Sequence, residues 1–94
     1  MRIKYEDEAK VDLANIRQHY LEAGGGALAR RMVRDIRAEV AILADNPHIG
    51  SSYELVSGLR RLVIARGVFL VFYRVMDCVE VVHVRRAERE PLQC

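Results

Sequence analysis

Between Gly58 and Arg86 the chain reads G-L-R-R-L-V-I-A-R-G-V-F-L-V-F-Y-R-V-M-D-C-V-E-V-V-H-V-R-R, three β-rich runs parted by Arg66-Gly67 and Met76-Asp77. A two-residue loop can only turn a strand back beside itself, because a parallel return needs a crossover of a dozen or more residues. The stretch therefore predicts an antiparallel meander. Its central run, Val68–Val75, is apolar on both parities until Arg74, as suits a strand covered on one face and partly sheltered on the other. Arginines stand at the run ends (Arg60, Arg61, Arg66, Arg74, Arg85 and Arg86), so the sheet has the character of a binding platform.

Upstream the period changes. Ile3 between two cations suggests a short N-terminal strand over Arg2–Tyr5, and Glu6 or Asp7 can start a helix there. Ala9, Leu13, Ile16 and Tyr20 share one helical face, which Gly24-Gly25-Gly26 ends. Ala29, Val33, Ile36, Val40 and Leu43 predict a second helix with Arg30, Arg31, Arg34, Arg37 and Glu39 on its outer face, stopped by Asn46-Pro47. Two helices so joined form an antiparallel hairpin. His48–Ser57 reads as a loop with a short edge strand at Tyr53–Val56. The expected order is β-α-α-β-β-β: an N-terminal strand, the hairpin, then a three- to four-stranded antiparallel sheet, in a two-layer α+β fold.

Ninety-four residues suit one domain, 1–94, with a single modest core. No apolar run approaches the roughly 18 residues of a membrane span. The start, M-R-I-K-Y-E-D-E, carries no export signal. Only Cys78, inside an expected strand, and Cys94 are cysteines, without a C-x-x-C or His/Cys cluster, which favours the cytosol and argues against a metal or cofactor. Residues 1–57 hold eight Lys/Arg against nine Asp/Glu and residues 58–94 hold seven against four, so the sheet half is the basic one. All its cations are arginine, whose planar fork matches phosphate or carboxylate.

Candidate chemistry is sparse. No Ser or Cys sits in an elbow motif, and His19, His48 and His83 have no evident partners in the sequence. Glu6-Asp7-Glu8 reads as helix-start charge. Metal-free RNA cleavage would need a base, an acid and cations for the phosphorane. His83 and the arginines offer those, but His83 reads more readily as a strand-end residue partly covered by neighbours, and Tyr73 as core or sheet-face packing.

The motifs together resemble toxins of the RelE/ParE superfamily from bacterial type II toxin–antitoxin systems. The resemblance rests on Ala9, Asp12, Leu13, Ile16 and Tyr20; on Asn46, Pro47, Ile49 and Gly50; and on G-L-R-R-L, F-Y-R-V and V-E-V-V-x-V in the sheet. The RelE-like branch typically has an arginine in the central strand where this chain has Leu70, and an Arg and a Tyr after the last strand, where it has Ala87. ParE-like members commonly lack those groups, though their familiar ending has a His where Arg86 stands here.

What the resemblance implies follows from that split. The ParE-like reading is a non-enzymatic toxin that inhibits DNA gyrase, with Arg60, Arg61, Arg66, Arg74, His83, Arg85 and Arg86 on the target-binding surface. The alternative is a ribosome-dependent mRNA endonuclease in which Arg61, Arg66, His83 and Arg85 are catalytic. A further alternative is an inactive homologue acting as an antitoxin-bound corepressor. Each reading implies a cognate antitoxin, with operator DNA reached only through it. Leu13, Ile16, Tyr20, Arg30, Arg34 and Arg37 are the expected antitoxin contacts.

Overall fold

A computed structural model describes residues 1–89. Strand β1 (Ile3–Tyr5) leads into helices α1 (Asp7–Gly24) and α2 (Gly26–Val40), and the sheet is completed by β2 (Ser51–Ser52), β3 (Arg60–Ile64), β4 (Phe69–Val75) and β5 (Val79–Arg86). The order across the sheet is β1-β5-β4-β3-β2. β2 to β5 form the expected antiparallel run, and β1 adds a parallel edge, with Ile3, Lys4 and Tyr5 opposite Val79, Glu80 and Val81. The sheet is thus five-stranded and mixed, an α+β fold.

The helical periodicity seen in the sequence becomes one wall of the core. Ala9, Leu13 and Ile16 of α1 and Ile36 and Val40 of α2 bury against Ile64, Phe69, Val71, Tyr73, Val79, Val81 and Val84. At the hairpin bend Gly25 takes φ 90°, a conformation that side chains oppose. α2 ends at Val40, short of Asn46-Pro47, and runs on as a 3-10 turn, Ala41–Ala44, that buries Leu43. Glu6 caps α1 only by position, without a side-chain hydrogen bond.

Several expectations shift. The segment after β2 is not the anticipated edge strand: Tyr53–Leu59 folds as a closed loop, with the Tyr53 N–H bonded to Leu59 O at 2.8 Å. It lays Tyr53 and Leu59 over Leu70 and Phe72, making a second cluster on the sheet face away from the helices. β4 is therefore buried on both faces from Phe69 to Tyr73, more fully than expected. The β4–β5 turn spans Met76 to Cys78, so Cys78 lies in the turn rather than in a strand. Cys94 falls outside the described residues.

β5 also contains a bulge. Phe72 faces His83 while Tyr73 faces Val81, leaving Val82 extra. One inserted residue reverses side-chain parity. That is how Val81 and Val84, three positions apart, both reach the helix-facing core, while Val82 turns to the second cluster.

Candidate functional site

The sheet divides the predicted target-binding residues into groups. Arg61, Phe72 and His83 stand in one row across β3, β4 and β5. Arg85 lies opposite Leu70 and Arg86 opposite Phe69, at the end of the sheet where the β3–β4 turn carries Arg66. Arg60, opposite Tyr73, and Arg74 occupy the other end. Four steps along β4 separate Phe69 from Tyr73, so the two ends are about 13 Å apart at a strand's rise. Arg66, Arg85 and Arg86 form one group, and Arg60 and Arg74 do not join it.

The local causes differ. Ala65 and Arg66 both take the left-handed conformation, φ 52° and 56°, ahead of Gly67 at 91°. For residues with a Cβ that costs roughly 1–2 kcal/mol each. The turn is held by Glu39 of α2, whose carboxylate oxygens accept the Ala65 N–H at 3.0 and 3.2 Å. Strain at a turn that displays an exposed arginine is a pointer to function. Glu39, expected on an outward face, serves this brace instead.

Arg60 is part of the architecture. Its Nη1 donates to Gly50 O at 2.7 Å and to His48 O at 3.4 Å, tying the loop before β2 to β3. Arg61 lies over the Tyr53 ring at 5.8 Å, and Arg74 reaches Glu80 at 3.6 Å. Arg86 makes a loose 3.5 Å contact with Glu88.

His83 is not the solitary strand-end histidine that its sequence context suggests. Its Nδ1 lies 3.1 Å from Asp12 Oδ2 and its Nε2 lies 3.0 Å from Glu8 Oε2. Both contacts are hydrogen bonds only when the ring carries both protons. Asp12 Oδ2 also accepts the Val84 N–H at 3.0 Å, just past the bulge. The signal was present in the sequence: Glu8 and Asp12 are like charges at i and i+4, which repel unless a cation sits between them. Asp12→Ala leaves a strand N–H without its acceptor, and urea denaturation is expected to show a loss of about 1–3 kcal/mol. Glu8→Ala, at an exposed carboxylate, should cost less than about 1 kcal/mol.

Tyr73 is fully buried, and its hydroxyl oxygen accepts the Gly50 N–H at 2.9 Å. Of the expected antitoxin contacts, Leu13 and Ile16 are buried in the chain's own core and Tyr20 is half-buried. Arg30 and Arg34 are exposed on α2, with Arg34 3.3 Å from Asp35. Arg37 lies over the Tyr5 ring at 4.7 Å. Burial pushes the Tyr5 hydroxyl above its ordinary value, against the lowering pull of Arg37. Among the described residues no three His, Cys, Asp or Glu side chains gather as a metal site would need. Nor is any helix there long and apolar enough to cross a membrane.

This arrangement can grip an anionic or polar partner; His83 and Tyr73 are held by their neighbours, while His19 stands beside Arg85 and Arg86 on the α1 side. Comparison with known proteins agrees with the fold and motifs. Residues 3–91 match the family model described as the ParE toxin of type II toxin–antitoxin system, parDE. A solved structure titled "Chromosomal ParDE TA system from P. aeruginosa" is 30% identical, with a TM-score of 0.81, over 92% of this chain and 95% of that one. No curated protein matches the sequence. The match over nearly the whole length places the chain in the ParE toxin family of type II toxin–antitoxin systems.

Proposed function

We propose that this protein is a toxin that acts by binding, inhibiting DNA gyrase in the cytoplasm and so blocking replication, and that a cognate antitoxin neutralises it. The observation that carries the reading is the engagement of His83, the proton-transfer group of the cleaving alternative, and of Tyr73. The Tyr73 hydroxyl is buried on Gly50, and both ring nitrogens of His83 face carboxylates. Leu70 fills the middle of the central strand, where a cleaving relative would need a cation. With His83 and Tyr73 so engaged, the arginines are better suited to recognising a partner than to cutting RNA, which needs an acid and a base in place.

The test is to assay the purified protein on gyrase supercoiling and on ribosome-bound mRNA in parallel. Supercoiling should be inhibited and the message left whole. Cleaved message with untouched supercoiling would reverse the assignment in favour of the endonuclease. Within this reading Arg66 and Arg86 are target contacts. Arg66→Ala and Arg86→Ala should each relieve growth inhibition, the exposed Arg66 shifting stability by no more than about 0.5 kcal/mol and the half-buried Arg86 by about 1 kcal/mol through lost packing. Arg60→Ala is a poor probe, since it also removes the clamp on Gly50.

A further inference from the structure

We propose that the hollow between α1 and the free half of β5 is an oxyanion-binding subsite organised by Arg85. The Nε of Arg85 is buried and finds no acceptor in the structure. Native proteins seldom leave a buried donor unbonded without a ligand, a water or a functional reason. β1 pairs with β5 only as far as Val81, so past the bulge the strand edge is open. A hollow of about 430 Å³ opens there, lined by Arg85, Arg86, His19 and Asn15 with Ile16 and Val84. Asp12 is the one acid on its wall, and its Oδ2 is already shared by His83 and the Val84 N–H.

The chemistry of the ligand follows from these donors. A guanidinium presents parallel N–H groups, which a carboxylate or a phosphate accepts two at a time. The hollow is larger than a bare ion, and Ile16 and Val84 are buried apolar side chains. The fitting ligand is therefore an oxyanion carried on a partly apolar molecule, its charged end on Arg85 and Arg86. None of this depends on the identity of the toxin's target.

The full-length protein can be titrated with sodium acetate and separately with inorganic phosphate, at constant ionic strength, while arginine Nε–H resonances are followed by NMR. The Arg85 signal should shift saturably with at least one of the two, while that of exposed Arg34 shifts little. Whichever anion binds more tightly identifies the source as carboxylate or phosphate. Arg85→Gln should weaken that binding about tenfold or more, the effect of one charge-assisted hydrogen bond. An Arg85 signal unmoved by both anions, or drifting in step with Arg34, would overturn the subsite and leave only the attraction of a basic surface. Should Arg85→Gln fail to fold, the comparison of Arg85 with Arg34 in the unaltered chain decides the matter alone.

Discussion

Phe72→Ala is expected to lower the unfolding free energy by about 3–5 kcal/mol. The ring is fully buried in the cluster under the Tyr53–Leu59 loop. It meets Tyr53 edge to face, with centroids 4.9 Å apart and planes at 76°. Such a pair adds about 0.5–1.5 kcal/mol beyond the area it buries. Domains of this size have only about 5–15 kcal/mol in total, so the variant should sit near the edge of folding. Urea denaturation followed by circular dichroism measures it. A loss below about 1 kcal/mol would show that the loop closes down into the vacated space.

Gly50→Ala should be nearly as severe, for the opposite reason. A Cβ there would lie 2.7 Å from the Tyr73 hydroxyl oxygen, 2.8 Å from Arg61 O and 2.9 Å from Tyr73 Cε1. Neither neighbour can withdraw: Arg61 is held in the β2–β3–β4 pairing and Tyr73 is fully buried. Moving Gly50 instead disturbs its N–H bond to Tyr73 and the Arg60 clamp on its carbonyl. Overpacking of this kind costs about 1–3 kcal/mol, or more where the surroundings are rigid. A double-mutant cycle with Tyr73→Phe, which removes the nearest atom, should show coupling of about 0.5–3 kcal/mol. An equal cost in both backgrounds would place the clash on the Arg61 carbonyl.

Periodicity made most of the fold legible in advance. Ala9, Leu13 and Ile16 at helical spacing are buried together, and the meander follows from turns too short for any other path. What stayed hidden was whatever depends on a contact between distant positions or on a break in period. Strict alternation along β5 cannot place both Val81 and Val84 on the core side, and only the bulge does. His83 seemed unpartnered because Asp12 stands 71 residues away in the chain. The arginines read as one group because their spread along the strands depends on register, which sets Arg60 against Tyr73 and Arg86 against Phe69. Nothing in Ser51-Ser52 announces a strand, since two polar residues become one only by lying beside Arg60 and Arg61.

The parallel edge bears on when this protein comes into being during its synthesis. Ile3 and its partner Val79 are 76 positions apart (79 minus 3), with both helices and most of the sheet between them. At about 5–20 residues per second on the ribosome, β1 waits roughly 4–15 s for the strand it pairs with. Helices can form locally in that interval, but β5 fills the gap between β1 and β4, so the sheet closes only when it arrives. Whatever surface the finished sheet presents therefore appears late and all at once. A neutralising partner already in the cell has those seconds in which to be waiting.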